Sequence, residues 1–171
     1  MAKTYATSSH LTAITRITPS VPARKLHEAG LLQGRTLDYG CGKGKDADVF
    51  KMNRYDPHYA PLMPPGVFDT ITCTYVLNVV PPEDVPNILK TIHDLLAPGG
   101  TAYVTVRRDL SSKAQKGRGT TQRNVTLDLP ILKETRGYCT YIVRQDAWQF
   151  TRGSYSSVKH LKNFRPRTEN S

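Results

Sequence analysis

The clearest hydrophobic pattern in the chain lies between Glu83 and Ala97. Val85, Ile88, Leu89, Ile92, Leu95 and Leu96 recur at helical spacing and share one face. Pro86 falls in the first turn of that helix, where a proline is tolerated, and Pro98-Gly99-Gly100 ends it. A second helix is predicted from about Val21 to Ala29, with Ser20 as N-cap, Pro22 in the first turn and Gly30 as the stop. Short apolar and β-branched runs read as strands: RTLDYG, MNRYDP, VFDTITCTYVLNVV and TAYVTVRR, then VTLDLP and GYCTYIVRQD. GCGKGKDADVFK reads as a glycine loop leading into a helix. Strands alternating with helices over residues 20–107 predict an α/β fold with a doubly wound parallel sheet. The segment YAPLMPPG has three prolines in eight residues, so it is neither a helix interior nor a central strand.

At 171 residues the chain suits one domain with one core. It divides into an arm (1–18), a cofactor-binding core (19–110), a basic insertion (107–124), late strands (125–150) and a basic tail (151–171). The Thr/Ser-rich arm suits a short hairpin or an extended segment. No apolar run approaches the ~20 residues of a membrane span, and the N-terminus lacks the apolar stretch of a secretory signal. Cys41, Cys73 and Cys139 are odd in number and widely spaced, which predicts neither disulfides nor a metal site and fits a reducing cytoplasm. The net charge of +10 is unevenly placed. Residues 107–123 hold six Lys/Arg and one acid, and residues 152–171 hold five Lys/Arg and one acid, so these two segments carry nearly the whole surplus. A basic insertion and tail beside a neutral scaffold predict contact with nucleic acid; the plainer alternative is two solvated basic segments.

The most specific chemistry lies in LDYGCGKGKD. A strand ends at Asp38, and Gly40, Gly42 and Gly44 follow at alternate positions. Such glycines let the backbone turn tightly beside a ligand at the carboxyl edge of a sheet. A dinucleotide fold wants G-x-G-x-x-G, whose third glycine would fall at Lys45, and Asp38 would repel a pyrophosphate. A carboxylate at that place suits a ligand with a cationic amino group.

D-x-G-x-G-x-G after a strand resembles the first motif of class I S-adenosylmethionine-dependent methyltransferases. That resemblance implies a Rossmann-like sheet with S-adenosylmethionine held by Asp38, Tyr39, Gly40, Cys41, Gly42 and Gly44. Asp56 follows Asp38 by 18 positions, the place of the acid that accepts the ribose hydroxyls, with Pro57 beside it. FDTITCTYVLNVV resembles the family's fourth-strand motif, which implies that Cys73 and Tyr75 stand beside the cofactor. LLAPGGTAYVTV resembles its following turn and fifth strand. TAITRITPSVPARKLHEAGLLQGRTLDYGCGKGKD, with YDP and YVLNVV, resembles methyltransferases of phages and of DNA phosphorothioation loci. The resemblance covers about residues 11–110.

One departure stands out. Asp69 follows Asp56 by only 13 positions, too few for the helix and third strand the family places there. The third strand is therefore expected to be missing or reduced, with Pro57, Tyr59, Leu62 and Met63 as candidates to contact adenine or cover the sheet edge.

Methyl transfer needs alignment more than acid–base help, so catalytic residues are weakly marked. Asn78 and Arg107 are the candidates for catalysis. Asn78, Arg107, Arg108 and Asp109 are the candidates for substrate binding. The competing roles are a helix cap for Asn78 and a surface ion pair between the arginines and Asp109. Cys73 lacks the Pro-Cys loop that a covalent nucleophile needs. Asp56-Pro57-His58-Tyr59 resembles the Asp-Pro-Pro-Tyr signature of amino-methyltransferases, but it follows the second strand instead of the fourth. The leading expectation is a methyltransferase acting on nucleic acid or a nucleotide, without metal, with a protein partner possible for target recognition. Alternatives are a small-molecule or protein methyltransferase, and a non-catalytic nucleic-acid-binding subunit on the same fold.

Overall fold

The computed structural model describes residues 8–110, 115–117 and 120–147. After a 3-10 turn at Ser8–Thr12 come α1 (Val21–Glu28), β1 (Thr36–Tyr39), α2 (Lys45–Phe50), β2 (Asn53–Tyr55), β3 (Phe68–Thr74), α3 (Val85–Asp94) and β4 (Leu96–Arg107). Four shorter elements follow: β5 (Gln115–Gly117), β6 (Thr120–Gln122), β7 (Ile131–Glu134) and β8 (Tyr138–Arg144). Six strands form one sheet in the order β2-β1-β3-β4-β8-β7, and β5-β6 is a separate hairpin. β2, β1, β3 and β4 are parallel, and β8 runs antiparallel to β4. The parallel part is what the alternation over residues 20–107 predicts, and the antiparallel β8 and β7 make the α/β sheet a mixed one.

The central strands are apolar because helices and loops cover both faces. Leu37, Phe68, Ile71, Val104, Val106 and Val143 are all buried, and Ile88, Leu89 and Ile92 of α3 pack into the same core. At α1, the Ser20 hydroxyl accepts the Ala23 amide at 3.3 Å, as expected of an N-cap. α3 stops at Asp94 instead of Ala97, because Leu96 already pairs with Phe68. Pro98-Gly99-Gly100 then forms an irregularity inside β4, where the register shifts between Phe68 and Thr70.

No strand lies between β2 and β3, so the third strand of the family is absent and β2 is an edge. A tight loop replaces it, closed by reciprocal amide–carbonyl bonds between Asp56 and Ala60 at 3.0 Å. The proline-rich stretch is fastened by Arg35, whose guanidinium donates to the carbonyls of Val67 at 2.8 Å and Pro65 at 2.6 Å and lies over the Phe68 ring.

Two expectations at the C-terminal end need correction. Residues 125–130 form no strand; Val125 and Leu127 are buried in the core from an extended segment, and the strand begins only after Pro130. The basic insertion is not wholly a loop, since β5 and β6 pair within it. The basic tail lies outside the described residues. Among the described residues, no helix is long and apolar enough to cross a membrane.

Candidate functional site

β1 has β2 on one side and β3 on the other, so the chain leaves it in opposite directions. That reversal opens a crevice at the carboxyl ends of the strands. A cavity of about 620 Å³ lies there, a size suited to a small organic ligand.

The glycine loop forms its floor. Gly40 has φ 76°, and a Cβ on it would stand 2.3 Å from a methyl carbon of Val76, so both conformation and space require glycine. The amides of Gly40 and Cys41 donate to the Tyr55 carbonyl at 2.7 and 3.0 Å, Gly42 to an Asp56 carboxylate oxygen at 2.9 Å, and Gly44 to the Cys41 carbonyl at 2.9 Å. A loop whose amides are spent internally has little left with which to cradle a pyrophosphate, which argues against a dinucleotide.

Three carboxylates line the cavity: Asp38, Asp46 and Asp56. Asp38 is 4% exposed and accepts one side-chain bond, from the Thr72 hydroxyl at 3.1 Å. Burial, then repulsion from Asp46, raises its pKa to about 7, against a weaker opposing pull from the Thr72 bond. Such a carboxyl is an unsatisfied acceptor that gains from a cationic ligand. Asp56 accepts the amides of His58 and Tyr59 at 2.9 and 3.0 Å on one oxygen and Gly42 on the other. It thereby ties the glycine loop to the turn that replaces the missing strand. Asp46 accepts both the amide and the hydroxyl of Ser20, at 2.7 and 2.6 Å, which joins α2 to the start of α1.

At the end of β3, Tyr75 has φ 64°, a left-handed conformation rare for a tyrosine. Its amide is fixed on the Thr105 carbonyl at 2.8 Å. Strain of this kind collects at functional sites and here turns Tyr75 and Val76 to line the cavity.

Of the residues proposed for the cofactor, Asp38, Tyr39, Gly40, Cys41, Gly42, Gly44, Asp56, Pro57 and Tyr75 line this one cavity. Cys73 does not: it is fully buried in the core, and strand alternation gives the wall to its neighbour Thr74. Burial also pushes the thiols up, Cys41 to about 12, so neither Cys41 nor Cys73 is a nucleophile. Tyr59, Leu62 and Met63 are not on the cavity wall either; Leu62 is exposed and Met63 packs on the core.

Asn78 has a different task from the one expected. It is 1% exposed, its amide nitrogen donates to the carbonyls of Arg107 and Arg123 at 3.2 and 2.9 Å, and its oxygen accepts the Arg107 amide at 2.8 Å. Buried, bonded to backbone through both amide hydrogens and one oxygen lone pair, and off the cavity wall, it is not placed to touch an acceptor, nor does it cap the following helix. It fastens the end of β4 to the segment after β6. Arg107 forks onto Asp109 at 2.9 and 3.1 Å, and Arg108 pairs with Glu134. The Arg107–Asp109 pair is the surface ion pair held as the alternative, whereas Arg108 takes Glu134 instead of Asp109; none of Arg107, Arg108 and Asp109 lines the cavity.

Sequence reasoning missed the arm. His10, Thr12, Ala13, Ile14 and Arg16 all line the cavity. Lys43 donates to the Thr15 hydroxyl at 2.7 Å, the Tyr59 hydroxyl donates to the His10 carbonyl at 3.2 Å, and the His10 and His58 rings stack at 4.1 Å. The only sequence hint was Ser20 and Asp46, a capping residue and an acid in the first turn of the helix after the glycine loop.

Residues 14–150 match the sequence profile of the methyltransferase domain family. The chain belongs to this family. Among solved structures, this methyltransferase is similar to Burkholderia thailandensis 1,6-didemethyltoxoflavin-N1-methyltransferase with bound 1,6-didemethyltoxoflavin and S-adenosylhomocysteine. The identity is 19% and the TM-score 0.51, over 72% of this chain and 76% of that one. It is also similar to DhpI in complex with S-adenosylhomocysteine, at 14% identity and TM-score 0.50, over 71% of this chain and 81% of that one. No curated protein matches it in sequence. The methyltransferase is S-adenosylmethionine-dependent, and the donor set fits that cofactor. A buried carboxyl short of partners suits an ammonium, and a loop with its amides spent suits a ligand without phosphate.

Proposed function

We propose that this methyltransferase acts on a nucleic acid or a nucleotide. The observation that carries the reading is the position of the basic insertion: β6 lies against the Ser8–Thr12 turn, whose His10 and Thr12 line the cavity. This contact supports the reading because β6 belongs to the segment 107–123, which holds six Lys/Arg against one acid, a composition that draws a polyanion. The resemblance to methyltransferases of phages and phosphorothioation loci points the same way.

In this reading Asp38 holds the cofactor's ammonium and Asp56 accepts its ribose hydroxyls. S-adenosylmethionine supplies a methyl on a sulfonium, so the chain must chiefly align an acceptor lone pair with it. Tyr75 and Val76 form the wall against which the acceptor is oriented, and the Ala13–Arg16 stretch shields the site from water. Tyr75 offers a face for stacking an extruded base.

The test is transfer of radiolabelled methyl from S-adenosylmethionine to single-stranded DNA, duplex DNA, RNA and mononucleotides, beside calorimetry with S-adenosylhomocysteine. Label in any of these substrates supports the reading. Cofactor binding with no label in any of them would refute it and leave a small-molecule acceptor. That second reading draws on the apolar wall of Val76, Val79 and Val80 and on the neighbour named as a 1,6-didemethyltoxoflavin-N1-methyltransferase, which holds 1,6-didemethyltoxoflavin. No cofactor binding at all would instead favour a non-catalytic subunit.

A further inference from the structure

Both acids and cations line the cavity. The charges that act on Asp38 are those of Asp46, Asp56 and Arg54. The charges that act on Tyr75 include Arg16, Arg107 and Asp109. Three cations line the wall: Arg16, Lys43 and Lys45. Lys43 is exposed and bonded to Thr15. Nearby acids are already engaged: Asp46 by Ser20, Asp48 by Arg54, and Asp109 by Arg107.

Arg16 and Lys45 are both half-buried on the cavity wall, and neither forms an ion pair or hydrogen bond among the described residues. Of the two, Arg16 is the one whose charge acts on Tyr75. A guanidinium taken partly out of water without a partner is unfavourable, and here the chain holds it there. Lys43 fixes Thr15 on one side of it, and Asp46 fixes Ser20 on the other. Ala13 sits over the glycine loop, so close that a Cβ on Gly42 would stand 3.3 Å from its side chain. The segment is thus tied down at both ends, with Arg16 on the same cavity wall as Tyr75, on which its charge acts.

We propose that Arg16 is the anion-recognising residue of the acceptor site and binds a phosphate of the acceptor next to Tyr75. The inference rests on the nucleotide reading above and adds to it a specific residue and a specific group. A guanidinium forks onto two phosphate oxygens, and a tyrosine face beside it takes the base, so the pair measures a nucleotide at both of its ends. The cofactor's own carboxylate is the other oxyanion such a group can meet, and the experiment separates the two.

The binding of AMP, GMP, CMP and UMP, and of the four parent nucleosides, is measured by calorimetry on protein saturated with S-adenosylhomocysteine. Wild type is compared with Arg16→Gln and Arg16→Lys, each first shown to melt like wild type. At least one monophosphate is expected to bind about tenfold tighter than its nucleoside, with Arg16→Gln abolishing that preference and Arg16→Lys keeping part of it. Binding of S-adenosylhomocysteine should stay within about twofold in both variants, since no cofactor contact is removed. If Arg16→Gln weakens S-adenosylhomocysteine about tenfold and spares the phosphate preference, Arg16 serves the cofactor and the proposal is wrong. A phosphate preference equal in wild type and Arg16→Gln overturns the proposal but leaves the nucleotide reading standing. No phosphate preference in wild type also overturns the proposal, and the nucleic-acid reading is then decided separately by the labelling of DNA and RNA.

Discussion

Cofactor affinity should depend on pH through Asp38. This carboxyl is raised to about 7 by burial and by Asp46, and it faces the cavity where an ammonium is to be held. Only its ionised form attracts that ammonium. At pH 6 about a tenth of the carboxyls are ionised and at pH 8 about nine-tenths, so affinity for S-adenosylhomocysteine should fall roughly tenfold from pH 8 to pH 6. Near pH 7 binding should release about half a proton, read as a dependence of calorimetric heat on buffer ionisation enthalpy. The same group governs stability without ligand. Its folded pKa of about 7 lies above the ordinary 3.8, so the folded state is progressively penalised as pH rises from 3.8 to 7, and the penalty is complete above that window. Asp38→Asn removes a penalty on the order of 2–4 kcal/mol at pH 8 while keeping an oxygen for the Thr72 hydroxyl. The variant should therefore melt several degrees higher than wild type at pH 8 and no higher at pH 4. It should also bind S-adenosylhomocysteine at least about 30-fold more weakly, with no pH dependence. An Asp38→Asn protein that melts lower at pH 8 and binds the cofactor normally would refute this account of the site.

Gly40→Ala should cost roughly 2–4 kcal/mol in urea unfolding, because its Cβ meets Val76 and its φ is positive; adding Val76→Ala should recover only the steric part. Asn78→Ala should lose about 1–3 kcal/mol of stability by removing the partner of three half-buried backbone groups, yet the folded fraction should bind S-adenosylhomocysteine as wild type does. A normal melting curve with lost cofactor binding would show that Asn78 belongs to the site after all. Binding to a single-stranded oligonucleotide should weaken steeply with salt, and Lys113→Gln with Lys116→Gln should lower the slope of log affinity against log salt by roughly one to two. An unchanged slope would remove the insertion from the interface.

The strand-loop-helix around Asp38 was legible because its signals are local. A strand end, three alternate glycines and an acid at the end of the next strand all fall between Asp38 and Asp56, and each constrains its own backbone. The missing strand was legible for a simpler reason, since the 13 positions from Asp56 to Asp69 cannot hold a helix, a strand and their connections. The wall beyond the glycine loop was harder to read. Cys73 and Tyr75 have the same parity on β3, yet only Tyr75 reaches the cavity, because it leaves the strand with a left-handed φ that no periodicity announces.

The sequence by itself thus determined the type of fold, the order of its core elements and the group of acids and glycines that suit the cofactor. The tertiary structure decided which polar residues face the cavity and which are spent on the frame. Asn78 is consumed by backbone partners 29 and 45 positions away, and the arm meets the site through pairs 28 and 49 positions apart. Contacts across such distances depend on how the whole sheet brings segments together, and no local pattern of residues encodes them.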